Sequence, residues 1–232
     1  MTDMTPLDTT IADIAVTIDE NVVRVTSARP LTLLSSALVA GGFGSAREIV
    51  NMHVDDVSPD SSPAADLAAF AASLGIDEPF VGLMTAAKTQ YARLAAESRD
   101  GATVAAVVSM GLSNRACAGV SPPSAYATGT INTIVLIDAH LTPAALVNTV
   151  ITATEAKTLA LGAWQVLSPE GAPASGTSTD AVVVACTGRG EAQSYAGPAT
   201  VVGWLTARTV RRAMDQICRE KLARDGGLRK DW

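Results

Sequence analysis

Aromatic residues make up only 4% of this 232-residue chain, and histidine occurs twice. Cysteine occurs three times, as Cys117, Cys186 and Cys218, an odd count with no CxxC pair. That excludes a disulfide framework and reads as small buried thiols in a reducing compartment. A cysteine nucleophile wants a histidine partner, and His53 and His140 sit in no metal-ligand spacing either, so no metal site is expected. Charged residues are 17%, with a net charge of −6. Basic residues gather only between Arg208 and Lys230, where Asp215, Glu220 and Asp225 interrupt them. Phosphate backbones want a basic stripe, so nucleic acid is not an expected partner. No apolar run approaches the ~20 residues of a membrane span, and the N-terminus lacks a basic start followed by an apolar run. The expectation is a cytoplasmic protein without membrane contact.

What is present is apolar, at 48%, with much of it Ala and Val. Strand patterns cover Ile11–Asp19 and Asn21–Thr26, with Arg29-Pro30 expected to break the run before Leu31–Leu34. Further strands are expected at Glu48–Val54, Phe80–Met84, Thr103–Met110, Ile131–Asp138 and Ala181–Cys186. Lys88–Ser98 reads as either a helix or a hairpin arm before Arg99-Asp100-Gly101. Ser62-Pro63 and Thr142-Pro143 are helix starts, a capping hydroxyl followed by proline at the first helical position. A last helix is expected from about Pro198 to Leu222. About eight strands and three helices give one α/β or α+β layered domain over 1–232, with a mixed, largely antiparallel sheet. Its core is placed at about 29–218, with a flexible tail at 224–232.

Five corners are small and polar: Ser35-Ser36 with Gly41-Gly42, Thr85, Ser113-Asn114, Gly129-Thr130-Ile131-Asn132, and Gly176-Thr177-Ser178-Thr179-Asp180. Glycine lets backbone N–H groups approach a ligand, and Ser, Thr and Asn supply hydrogen bonds without charge. Such donors suit an amide-rich substrate and a developing oxyanion. The same residues also close ordinary turns. Glu155 lies one turn beyond Ile151, and either this apolar neighbour partly buries it and raises its pKa as a general base needs, or Glu155 and Lys157 sit solvated on an exposed helix face. Lys157 follows two residues on. Asp180 sits at the start of an apolar strand, a placement shared by catalytic acids and turn caps. Trp164, Trp204 and Tyr195 could pack on a large planar ligand, though core packing is the commoner fate. Thr130 and Thr177 each follow glycine, the bond at which an N-terminal threonine nucleophile would be released.

The ordered set resembles the adenosylcobinamide amidohydrolase family. The matching blocks are Leu33-Leu34-Ser35-Ser36-Ala37 with Gly41-Gly42, Ile49-Val50-Asn51, and Val81-Gly82-Leu83-Met84-Thr85-Ala86. Gly111-Leu112-Ser113-Asn114, Gly129-Thr130-Ile131-Asn132, Thr152–Thr158 and Gly176–Ala181 follow in order. The resemblance implies hydrolysis of the amide joining aminopropanol to the corrin ring, giving adenosylcobyric acid for cobalamin salvage. The corrinoid would be the substrate and no cofactor would be needed. The resemblance assigns no roles; with direct water attack as the hypothesis, Glu155 is expected as base, Asp180 as second carboxylate or proton donor, and Lys157 with backbone or Thr130 donors at the oxyanion. Ser35, Ser36, Gly41, Gly42, Asn51, Thr85, Ser113, Asn114, Asn132, Thr177 and Thr179 are expected to bind substrate. The alternatives are a threonine-nucleophile amidase of another substrate and a non-catalytic corrinoid-binding protein; homo-oligomerisation is left open.

Overall fold

The structure is a computed structural model that describes residues 6–55, 62–77, 79–123 and 129–226. Twelve strands occur among these residues. They are β1 (Ile14–Ile18), β2 (Val22–Ser35), β3 (Gly42–His53), β4 (Phe80–Thr85), β5 (Arg93–Arg99), β6 (Ala102–Met110), β7 (Arg115–Ala116), β8 (Ile131–Asp138), β9 (His140–Leu141), β10 (Gly176–Thr177), β11 (Ala181–Cys186) and β12 (Ala192–Gln193). Three α-helices join them: α1 (Pro63–Ser73), α2 (Pro143–Ala163) and α3 (Val201–Asp225). Thr142 caps α2 as its sequence signature requires, accepting from the Ala145 N–H at 3.3 Å. Ser62 holds the equivalent place before α1 without a side-chain capping bond.

Eight strands form one sheet in the order β4-β3-β2-β11-β8-β6-β5, with β1 added on β2. Only β3–β4 and β8–β11 are parallel within it. The second parallel pair needs a long crossover, and α2 supplies it. The expected layered domain with three helices and a mixed, largely antiparallel sheet is the one observed.

Two local readings are corrected. Arg29-Pro30 does not end a strand, because β2 runs through it; its pairing with β3 slips between Thr26 and Leu31 instead. A residue without an N–H is tolerated at such an irregularity. Lys88–Ser98 resolves into a short 3-10 turn and the hairpin arm β5. Asp100 and Gly101, both at positive φ (49° and 81°), turn β5 into β6. At the C-terminus α3 extends through Arg224 and Asp225, where a tail was expected; residues 227–232 of that tail lie outside the described residues.

The central strands β6, β8 and β11 are buried on both faces, which is why they read as continuous apolar runs. Val104, Val135, Ile137 and Val184 pack against α2 and α3 through Leu146, Ala153, Leu205 and Met214. The alternate residues Val107, Ile134, Leu136 and Val183 meet Val16, Val25, Leu31, Ile49 and Leu83 of β1–β4. The sheet therefore folds back on itself over a second apolar core. No helix among the described residues is long and apolar enough to cross a membrane.

Candidate active site

One end of the three central strands gathers the polar corners. Met110 pairs with Ile131, and Asn132 with Ala181, so the segments after β6, before β8 and before β11 lie side by side. The β7–β10 ladder joins Arg115 to Thr177 and ties the Ser113-Asn114 corner to the 176–180 loop. Asn114 donates to the Ser178 hydroxyl (2.8 Å) and to that of Thr179 (3.3 Å). Thr179 in turn donates to the Gly129 carbonyl at 2.6 Å.

Asp180 is the centre of this arrangement. Its carboxylate accepts from the Ile131 N–H (3.0 Å), from the Thr177 N–H (3.1 Å), from the Thr177 hydroxyl and from the Lys157 ammonium. Lys157 reaches it from α2, and the side chains of the pair are 9% and 13% exposed. Asp180 is the hydrogen-bond partner of that ammonium among the described residues, leaving further N–H directions for a ligand. Two glycines make the site. A Cβ on Gly176 would collide with both Asp180 and Lys157, and one on Gly129 with Ser113 and Asn114. Gly129 also holds φ +137°, a conformation that side chains resist.

Below this centre lies a buried amide brace. Asn132 donates to Asn51 Oδ1 and to the Met84 carbonyl, both at 2.8 Å, and Asn51 donates to the Ser109 hydroxyl at 2.9 Å. Asn51, Asn132 and Ser109 are 1–2% exposed. These bonds tie β3 and β4 to β6 and β8, which gives the three side chains a bracing role. Thr130 is buried too, and its hydroxyl lies 2.8 Å from the Thr179 carbonyl and 3.2 Å from Asn132 Oδ1. Both neighbours are acceptors, so its proton is directed into the protein and away from an oxyanion.

Ser35 and Thr85 hold turns, accepting from the Ala37 and Ala87 N–H groups, and the Ser36 hydroxyl accepts from the Val182 N–H of β11. Gly41 and Gly42 form the exposed β2–β3 connection and start of β3. Glu155 is exposed and is not brought to the site. Two helical residues on, Lys157 points about 200° away from it, into the protein. His53 Nδ1 lies 3.2 Å from the Thr85 carbonyl, which accepts from it in the tautomer protonated there, and Trp204 lies beneath Arg99 and Arg208. Burial pushes the Cys186 thiol up, and takes that of Cys218 to about 12, with Asp215 adding to the effect. Among the described residues no three His, Cys, Asp or Glu side chains converge as metal ligands.

A cleft of about 360 Å³ opens beside the polar centre. Gly111, Ser113 and Gly129 form one side, and the last turns of α3 form the other. Ser109 and the α3 wall were not anticipated from sequence. Ser109 was visible as the lone hydroxyl late in an apolar strand, whereas nothing local marks the end of α3.

The family model described as adenosylcobinamide amidohydrolase matches residues 7–225. An adenosylcobinamide amidohydrolase of Halobacterium salinarum is 38% identical over 169 residues, covering 69% of this chain and 68% of that protein. One of Methanosarcina mazei is 33% identical over 172 residues, covering 70% and 78%. A Pyrococcus horikoshii protein of known crystal structure superposes with TM-score 0.51 over 88% of this chain and 79% of its own, at 12% identity, a likeness of fold.

Proposed function

Because this chain belongs to the adenosylcobinamide amidohydrolase family, we propose that it splits aminopropanol from the corrin ring with Lys157, Asp180 and Thr177 as the reacting centre. It is a hydrolase acting on an amide bond. The observation that carries the residue assignment is the Asp180 carboxylate, which joins a nearly buried ammonium and a threonine hydroxyl at the meeting of three loops. In this reading Lys157 donates to the carbonyl oxygen as negative charge develops there, in a site with little water to compete. Water attacks the carbonyl carbon, and its proton passes through the Thr177 hydroxyl to Asp180. Asp180 returns that proton to the departing amine nitrogen, leaving adenosylcobyric acid and free aminopropanol. The corrinoid is the substrate, no cofactor takes part, and the protein works in the cytoplasm in corrinoid salvage.

Incubation with adenosylcobinamide and assay of free aminopropanol tests the reaction. No release at high enzyme concentration sinks it. Folded Asp180→Asn should lose at least ~100-fold in turnover; near-normal turnover would take this cluster out of the chemistry.

A second reading is favoured by the hydrogen bond from the Thr177 hydroxyl to Asp180, the geometry of a nucleophile beside its base. The Thr177 oxygen would then attack the carbonyl carbon as Asp180 takes its proton; the C–N bond breaks, the amine leaves with that proton, and water hydrolyses the resulting ester to the corrinoid acid and the free Thr177 hydroxyl. A quenched reaction showing a mass increase on Thr177, lost in Thr177→Val and kept in Thr177→Ser, separates this from direct water attack.

A further inference from the structure

The cleft beside the reacting centre differs in chemistry from the centre itself. Ala86, Ala87, Gly111 and Gly129 line one side and offer backbone and methyl groups. A Cβ on Gly111 would come within 3.2 Å of Ala87, so the two segments already lie in close contact. Tyr91 and Arg224 stand at the other side, with the guanidinium 3.8 Å from the tyrosine ring centroid. That stack presents a planar cation backed by an aromatic ring, a surface on which heteroaromatic bases stack.

The cleft carries charges of both signs, Lys88, Lys221 and Arg224 against Glu220 and Asp225. Arg224 contacts Asp225 at 3.0 Å, Lys221 contacts Asp225 at 2.6 Å, and Glu220 is engaged by Arg93. A phosphate would meet Glu220 and Asp225 as well as the cations, whereas a neutral diol finds acceptors there. At about 360 Å³ the cleft is at the small end of ligand sites, sized for a side group rather than a whole corrin macrocycle.

We propose that this cleft is the subsite for the neutral nucleoside of an adenosylated corrinoid, with the base stacked on the Arg224–Tyr91 pair. The proposal rests on the reading of the site as corrinoid-binding, and it adds which part of the substrate the α3 wall selects. It makes Arg224 and Tyr91 specificity-determining residues while Lys157 and Asp180 act on the amide.

The test is equilibrium binding of 5′-deoxyadenosine to the full chain, with adenosine monophosphate as the charged comparison. The expected result is saturable binding of 5′-deoxyadenosine that weakens about tenfold in Arg224→Gln and survives in Tyr91→Phe. Adenosine monophosphate should bind no more tightly. Absent binding, binding unchanged in Arg224→Gln with the ring also removed in Tyr91→Leu, or tighter binding of the monophosphate would each overturn the proposal. Aminopropanol release, measured in parallel, separates the two readings. A protein that binds the nucleoside but releases no amine loses the hydrolase assignment and keeps the subsite. One that hydrolyses adenosylcobinamide without nucleoside binding loses the subsite alone.

Discussion

The ammonium of Lys157 and the carboxylate of Asp180 meet against Gly176, where any side chain would collide with both. A helix, a loop and the start of a strand are thereby fixed to one another by a single nearly buried ion pair. The pair, and the space that glycine keeps for it, lead to the first two predictions.

Gly176→Ala should disrupt the pair without touching any of its charges. Inserting one methyl into so tight a site costs about 1–3 kcal/mol of stability. Turnover should fall by at least ~100-fold, the scale of a misplaced oxyanion donor. Denaturant midpoints and aminopropanol release measure the two effects. Unchanged turnover would mean that the ammonium is not poised at the reacting carbonyl.

Lys157→Met leaves a buried carboxylate without its cation and should cost about 3–5 kcal/mol. The double variant Lys157→Met/Asp180→Leu removes both charges and should recover most of that stability while remaining inactive. Chemical denaturation of the two variants distinguishes coupling from independent roles. A double variant less stable than the single one would show that Asp180 is needed chiefly for its bonds to Ile131 and Thr177.

Glu155→Gln should retain turnover within about twofold of the parent, because this side chain is exposed on α2 and away from Asp180. A loss of ~100-fold in the folded variant would restore it as a general base and remove the cluster around Asp180 from that role.

Cys186 and Cys218 should resist alkylation at pH 8 in the native protein, since burial holds both thiols in the protonated form. Peptide mass spectrometry after iodoacetamide checks this, with Cys117, which is partly exposed, as the internal comparison. The Cys218 thiol is raised from 9.0 to about 12, so the folded state holds its proton more tightly than the unfolded chain. Its stabilising contribution is complete below pH 9 and is lost as the pH rises towards 12. A denaturation midpoint in Cys218→Ala with the same alkaline slope as the parent would remove this thiol as its source.

Much of the fold was legible in sequence because its signals are local. Thr142-Pro143 announces α2, and the apolar runs of β6, β8 and β11 need only composition to be read as buried strands. The continuity of β2 through Pro30 was not legible, since it depends on a slipped pairing with β3 that no short window contains. At the site, sequence singled out Asp180 and Thr177 in one corner and Lys157 on a separate helix, and the structure brings the three into contact. Glu155 was misplaced by its apolar neighbour: Ile151 is itself 50% exposed, so its hydrophobicity carried no information about burial. The α3 wall was invisible because Tyr91 and Arg224 meet only in three dimensions.

The double-sided burial of β8 has one more consequence. A strand apolar on both faces can slide by one residue and still present oil to both sides, so hydrophobicity alone does not choose its alignment. The choice falls to its polar end, where Asn132 grips Asn51 and Met84 and the Ile131 N–H grips Asp180. The residues around the Asp180 cluster are thus also the ones that tell the central strand where to stop. Drift towards a new substrate at this end would loosen the alignment of the whole sheet, whereas the cleft wall on α3 can vary without that penalty.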